Sequence, residues 1–538
     1  MKVKVLSAAI ATVLIVDVFY QNLQAATATT GVTVTVPTAA VSINLAGSSE
    51  QDRLLQSILS GDICTSGSLV IFKDNDGGTT NTTYWGGRWT SYYCTVAVKA
   101  STPVSLQSKI LAVNKRSAGG SGYGVLPLVN NPTTGKTPFP INFMAETATN
   151  CKMQDTTQTI PTYGCTASET SGHIAGTNTA LVIPDAGVLD SNPGLYTGVN
   201  TVLDFGVPIL ASDVATLTVA NGAALTFGVP VTLDLYKALQ AAQGLNTGSC
   251  SLGAYGYTGA TAACMPSLTR YHMAALISGG AQNWEQFSFN GTNLVTAAES
   301  AGVAAPGDML VHYCQGTAGS GAAANQYAKF LNSPCNANAA SPVADNRAAG
   351  GVAVSHIYTS ADMEACLDDL QNGTSNAVDY VTGGSVNANV KAWGFGAIAA
   401  DKNAVSSTST YAHGYRYIKV DGFTPTLQNV VNGSYSNWAQ TSWVISKSAT
   451  IAPTGAKLDA INYIRSESTL GTVLPLANVV QSFGTAGYLG LPTPYGPAAN
   501  VISNPVNTSN PVTPMAYTAG DNCSVPVPVT QTEIFTFQ

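Results

Sequence analysis

Apolar positions along this chain follow a helical rhythm in some stretches and a strand rhythm in others. Ser48-Ser49-Glu50-Gln51 has the S-x-x-Q spacing of a capping box, and Leu54, Leu55, Ile58 and Leu59 follow at helical intervals up to Gly61. Val231 to Gly244 puts Leu235, Leu239 and Ala242 on one helical face. Thr269 caps a run with Met273, Leu276 and Ile277 that Gly279-Gly280 ends. Tyr327, Phe330 and Leu331 mark another helix, and Leu458, Ile461 and Ile464 a further one. Between them lie short β-branched runs: Ala180 to Ile183, Met309 to His312 and Tyr417 to Val420. Helices alternating with short strands predict an α/β protein. The segments 118–180, 336–350 and 484–521 are rich in Gly, Pro, Asn and Thr and read as loops.

The N-terminus carries a different pattern. Lys2 and Lys4 precede an apolar stretch from Val5 to Val18, and Ala26-Thr27-Ala28 has the A-x-A form of a cleavage site. A signal peptide over 1–28 is expected, and with it export. Next comes an extended arm over 29–44, where Val32-Thr33-Val34-Thr35-Val36 alternates and Pro37 favours an edge. This arm is expected to pair with its own sheet or with another molecule. Ten cysteines suit an oxidising compartment, periplasmic or extracellular: Cys64, Cys94, Cys151, Cys165, Cys250, Cys264, Cys314, Cys335, Cys366 and Cys523. Sequence does not fix connectivity. Nearest-neighbour pairing gives 64–94, 151–165, 250–264 and 314–335, leaving 366–523. Only 9% of residues are charged, the net charge is −7 and the 22 basic residues form no cluster, so a nucleic-acid partner is not expected.

Several chemistries lack their motif. The histidines show no HExxH or other metal-ligand spacing, and the cysteines form no CxxC. No Gly-x-Ser-x-Gly elbow occurs, and Gly135-Lys136-Thr137 is preceded at the P-loop glycine position by Asn130. Neither a cofactor nor a metal is expected, and binding is expected rather than catalysis. Glycine and serine precede two helices, at Ala46-Gly47-Ser48-Ser49 and at Thr317-Ala318-Gly319-Ser320-Gly321. Helix starts of this kind serve as ordinary caps or as anion seats.

A longer ordered set of segments carries a resemblance. Asn44 to Ser49, Arg116-Ser117-Ala118-Gly119-Gly120-Ser121-Gly122 and Pro184-Asp185-Ala186-Gly187 come first. Leu268-Thr269 running to Trp284, Gly319-Ser320-Gly321, Trp393 to Ile398 and Asp421 to Tyr435 follow. Together they resemble the phosphate-binding proteins of ABC transporters, a branch of the type 2 periplasmic-binding-protein fold, over about residues 41–470. The resemblance implies a two-lobed α/β fold with loop insertions. One lobe would combine 45–225 with 400–538 and its C-terminal extension, and the other would span 226–399.

The resemblance also implies a small oxyanion such as phosphate between the lobes, and an ABC permease as a partner. By motif, Ser49 would supply the first hydroxyl, with Ser48 beside it in the ligand set, Glu50 its N–H and Ser121 (or Ser117) the second hydroxyl. Asp185 would accept from a protonated oxygen, and Ser320 and Gly321 would form the second lobe's seat. A turn residue in Pro-Asp-Ala-Gly is the other role open to Asp185. The chain departs from the family at Gly316, where arginine is expected, and at Ala322, where threonine is expected. Losing a bidentate arginine weakens phosphate binding, unless Arg116 or Lys115 substitutes. Trp284, Trp393 and Trp438 read as core, and Tyr84, Trp85, Trp89, Tyr92 and Tyr93 as a hairpin near Gly86-Gly87. Three functions follow in order: a weak oxyanion binder, a structural or self-assembling surface protein that reuses the fold, and a hydrolase.

Overall fold

The computed structural model describes residues 27–75, 78–82, 85–202, 204–250, 261–386, 389–405, 413–517 and 520–529. The expected signal peptide falls almost wholly outside them, as does Tyr84.

The sequence Val41–Gly47 forms a strand whose Ile43 and Leu45 are fully buried. It lies between two parallel neighbours, Ile110–Arg116 and Ala186–Leu189. The sheet continues on one side through Trp89–Thr95, Val70–Asp74, Thr162–Cys165 and Met153–Asp155. On the other side it continues through Trp438–Ser446 to Leu217–Thr232. A second sheet runs Ala353–Ile357, Asp308–Gly316, Ala392–Phe395, Leu217–Thr232, Tyr415–Val420, Ser267–Leu268. The 16-residue strand Leu217–Thr232 belongs to both sheets. Its partner changes from Trp438 at Thr226 to Ala399 at Phe227. Two parallel-containing sheets, each covered by helices and joined by a crossing strand, make a two-lobed α/β protein.

The predicted helices appear at Asp52–Ile58, Leu233–Ala242, Arg270–Ser278, Gly321–Phe330 and Gly455–Glu467. Thr269 accepts from the His272 N–H as the expected cap, and Gly279 closes that helix at φ +74°. Ser48 and Gln51 do not form a capping box. Gln51 occupies the cap position without a side-chain bond, and its amide donates to the Leu189 carbonyl instead. A helix at Ser360–Asn372, which apolar periodicity did not predict, packs against the second sheet. The stretch 118–180 is not a plain loop. It supplies Ile141–Met144, Met153–Asp155 and Thr162–Cys165, and Ile141 and Phe143 are core residues.

The N-terminal arm is bound to its own molecule. Thr29–Thr30 pairs with Met153–Gln154, and Val34 is buried among Phe72, Trp89 and Tyr93. The strand proper starts at Val41, inside the stretch expected to be arm. The aromatic hairpin is Val70–Asp74 against Trp89–Thr95. Trp284, Trp393 and Trp438 are buried.

All ten cysteines are paired. Three bridges follow the neighbour rule: 64–94, 151–165 and 250–264. The other two correct it. Cys314 pairs with Cys366 and Cys335 with Cys523. Cys314 lies on the strand Asp308–Gly316 and Cys366 on the helix packed over it, so one core holds both. Cys335, after the helix Gly321–Phe330, meets the C-terminal segment instead. Peptide mapping under non-reducing conditions is expected to recover these five pairs, with no thiol labelled after denaturation. Recovery of a 314–335 or 366–523 peptide would contradict the packing.

Candidate functional site

The parallel strands of both sheets end at a common place. Val41–Gly47 delivers Ser48, Ser49 and Glu50, and Ala186–Leu189 delivers Asp190. Across from them Asp308–Gly316 leads to Ser320, and Ala353–Ile357 leads to Tyr358, Thr359 and Ser360. In α/β sheets ligands gather outside the carboxyl ends of strands. One cavity is lined there by Ser48, Ser49, Glu50, Asp190, Ser320, Gly321, Thr359 and Ser360.

Three helix starts converge on it. Ser320 caps Gly321–Phe330 by accepting from the Ala323 N–H at 3.3 Å. Thr359 caps Ser360–Asn372 through the Asp362 N–H at 3.2 Å. Ser48 Oγ accepts from the Glu50 N–H and donates to Asp190. The Ser49 hydroxyl accepts from the Ser360 N–H at 3.0 Å, joining one lobe to the other. The Glu50 carboxylate accepts from the Ala399 N–H at 3.1 Å. The Gly122 N–H donates to the Gly319 carbonyl at 2.9 Å, and the Gly319 N–H to Asn200 Oδ1 at 3.2 Å.

Direct contacts leave little room. The cavity is about 20 Å³ on the measure by which one water takes roughly 10–15 Å³. Glycine is needed at two walls. A Cβ on Gly321 would sit 2.5 Å from Ser121 Oγ, and one on Gly316 would sit 2.6 Å from Ser320 Oγ. A side chain at position 316, arginine included, would require Ser320 to shift.

The electrostatics favour protons over anions. Burial pushes the Asp190 carboxyl up to about 7, although the Ser48 hydroxyl and the Lys115 ammonium pull it down. Burial raises Glu50 well above the usual carboxyl range, and Lys402 opposes that shift only in part. Neither basic candidate substitutes for the missing arginine. Lys115 Nζ donates to the carbonyls of Gly47, Ser48 and Arg116 and to Ser117, and stands 3.3 Å from Asp52. Arg116 is clamped by both oxygens of Glu169, at 2.7 and 2.8 Å. Both cations already have partners inside the first lobe.

The structure therefore brings Ser48, Ser49, Glu50, Ser320 and Gly321 together, and sets Ser121 beneath them, where its hydroxyl accepts from the Asp190 N–H. It does not bring Asp185 there. Asp185 accepts from the Asn44 N–H and pairs with Lys457 at 2.9 Å. The aspartate in the cavity is Asp190, five residues on, just past the strand's end, beside Glu50. Sequence reasoning missed Asp190, Thr359 and Ser360. The last two had a signal: Thr359 and Asp362 form a capping box ahead of Met363, Leu367 and Leu370, with Gly373 as the stop.

No protein-family model matches the chain, and no curated protein matches it. Solved structures are similar at a distance. One is a protein from Clostridium perfringens assigned as a phosphate ABC transporter substrate-binding protein, with phosphate bound. It is 11% identical, with a TM-score of 0.34, over 80% of this chain and 96% of its own. An ABC-type phosphate transport receptor from Vibrio cholerae is 12% identical, with a TM-score of 0.27, over 54% and 77%. PstS from Borrelia burgdorferi is 12% identical, with a TM-score of 0.25, over 57% and 79%. At these scores the likeness is remote, and the two-lobed arrangement stands on the strand pairing above.

Proposed function

We propose that the chain is an exported solute-binding-like protein that takes a small oxyanion, phosphate among them, between its lobes, and takes it weakly. The lobes in this reading are 45–225 with 400–538, and 226–399, with the strand Tyr415–Val420 crossing over to join the second sheet. The observation that carries it is that Ser48, Ser49 and Glu50 of one lobe share a single cavity with Ser320, Gly321, Thr359 and Ser360 of the other. Helix starts on both sides supply positive dipole ends, so an anion there would be held from both lobes. Weakness follows from the chemistry of the walls: among the described residues two carboxyls line the cavity and no cationic side chain does. Five disulfides suit an oxidising compartment. No helix among the described residues is long and apolar enough to cross a membrane. Delivery to an ABC permease belongs to this reading.

Calorimetry with phosphate, sulfate and small organic anions tests it. Binding is expected to be well below that of a dedicated scavenger, and Ser49→Ala and Ser320→Ala are each expected to weaken it about tenfold, as loss of a hydrogen bond to a charged group does. Tight phosphate binding that survives both substitutions would put the site elsewhere.

One observation favours a second reading, a structural or self-assembling surface protein with no transported solute. The lobes already touch through their own hydrogen bonds, and the cavity has room for little more than a water. No calorimetric signal with any anion would select it.

A further inference from the structure

The helix Gly321–Phe330 is buried on every side of its first two turns, from Gly321 to Tyr327. Its faces serve different cores. Ala323 and Tyr327 pack in the cluster around Leu276, Tyr313 and Trp393 of the second lobe. Ala322 belongs to the first-lobe cluster of Leu54, Ile58 and Val188. Ala324 belongs to another first-lobe cluster, with Leu126, Leu128 and Tyr196. A helix wedged in this way leaves the first lobe only by exposing apolar surface on both sides.

At the helix's far end stands a bridge unlike the others. Four disulfides join cysteines 14 to 52 residues apart, whereas Cys335–Cys523 spans 188. Both of its cysteines pack against the first-lobe cluster around Leu126. The segment that carries Cys523 is held at several points. Asn192 of the first lobe donates to the Gly520 carbonyl at 3.3 Å. The Tyr517 N–H donates to Gln440 Oε1 at 3.3 Å, and its hydroxyl to the Trp438 carbonyl at 3.2 Å. Lys329, on the wedged helix, donates to the Tyr517 hydroxyl at 2.6 Å and to the Asn522 carbonyl at 3.4 Å.

We propose that the C-terminal segment is a covalent clasp: through Cys335–Cys523 it holds the helix Gly321–Phe330 against the first lobe, so that closure does not depend on a solute. The inference rests on the two-lobe reading, and its test uses no ligand, so failure of the oxyanion assignment leaves it intact. The chain-entropy advantage of the bridge lies in its long loop, and its mechanical effect lies in where it is anchored. Tyr517 packs with Trp438 in the second-lobe cluster, so rotation of the second lobe would have to drag the segment off Asn192, Gln440 and the cluster around Leu126.

Amide hydrogen exchange on the full chain, without ligand, decides it. In the Cys335→Ser/Cys523→Ser variant, exchange at Gly122 and over 321–327 is expected to rise at least about tenfold, as sub-global opening requires. Exchange in the central strands 110–116 and 308–316 is expected to hold. The control Cys151→Ser/Cys165→Ser, whose bridge closes a loop away from the cleft, is expected to leave the cleft amides protected. Cleft protection unchanged in the clasp variant overturns the proposal. An even rise through both sheets also overturns it, because the bridge would then stabilise the chain as a whole and the lobes would not part as units.

Should the double variant fail to fold, the native protein is reduced with dithiothreitol. Two electrons and two protons pass from its thiols to the bridge sulfurs, and the reagent closes to a ring disulfide. Cys335 and Cys523 are partly exposed, whereas Cys314 and Cys366 are buried. Mass mapping identifies the opened pair. Faster exchange confined to the same cleft amides supports the clasp, and unchanged or evenly raised exchange overturns it.

Discussion

Replacing Glu169 with alanine is expected to cost the protein about 3–5 kcal/mol, the usual penalty for breaking a buried ion pair from one side. The Arg116 side chain has no exposed surface and the Glu169 side chain only 5%. The two meet as a fork, Nη1 to Oε2 at 2.7 Å and Nη2 to Oε1 at 2.8 Å. Nη1 also donates to the Asn142 carbonyl at 3.0 Å. The guanidinium lies 4.8 Å from the Tyr123 ring centre and 5.6 Å from that of Trp89. Without Glu169 a permanent cation remains in a wall of aromatic rings, because an arginine does not shed its proton. A urea titration at neutral pH would show the midpoint fall with an unchanged slope. The double variant Arg116→Met/Glu169→Leu is expected to recover most of the loss, since an apolar pair of similar volume needs no desolvation. The pair Lys457–Asp185, whose lysine is half-exposed and whose carboxylate keeps the Asn44 N–H, provides the contrast, and Lys457→Met is expected to cost about 1 kcal/mol. A Glu169→Ala loss of that same small size would mean that water reaches Arg116.

That pair also shows why part of the site was illegible. In the sequence Arg116 stands at the head of a glycine-rich run and looks free to hold an anion. Its engagement depends on Glu169, 53 positions on, which no spacing rule connects to it. Helices with a stripe and a stop were readable: Thr269 to Gly279 is one, and Leu233–Ala242 another. The crossing strand Leu217–Thr232 was not, because it is buried along most of its length and alternates little. Asp185 attracted attention through Pro-Asp-Ala-Gly, a local turn signal. Asp190 had no local signal, and its place in the cavity follows from the parallel register of Ala186–Leu189 with Leu45 to Gly47. Cys314–Cys366 belongs to the same class, since strand and helix meet only in three dimensions. The helix starts at Ser49 and Ser320 were legible as sequence. Their meeting through the Ser49–Ser360 bond needs a third helix, whose stripe of Met363, Leu367 and Leu370 is short and interrupted by charge.

Asp190→Asn is expected to stabilise the protein more at pH 8 than at pH 5. The carboxyl is 2% exposed, and burial pushes it from the ordinary 3.8 to about 7. Between those values the folded protein keeps a proton that the unfolded chain has released, so stability falls as pH rises through that window. The fall is complete above about 7, and three units at 1.36 kcal/mol each make it roughly 4 kcal/mol as an order of magnitude. The surrounding charges set this balance. Lys115 and the Ser48 hydroxyl favour the ionised form, while Asp52 disfavours it and Glu50 adds a further buried acid. Tyr196 and Tyr488 face the same carboxyl as neutral phenols, raised mainly by burial. Asparagine keeps an oxygen to accept from Ser48 and removes the charge, so the variant loses the part of the slope that Asp190 supplies. Glu50, Glu146, Asp401 and Glu467, raised for the same cause, keep a slope of the same sign, and Lys329, lowered to about 7 by burial, opposes it above that pH. At the acid end the order reverses. Asp155, Asp213, Asp308 and Asp379 are held below their ordinary values, and the stability they contribute disappears only as pH drops through those lowered values. Urea midpoints from pH 5 to 8.5 would show the variant gaining on the native protein as pH rises toward 7 and holding that gain above it. Parallel curves would mean that Asp190 is ionised in the fold, held by Lys115 and Ser48 as a fixed negative charge. The cavity would then repel at pH 7 the oxyanion assigned to it.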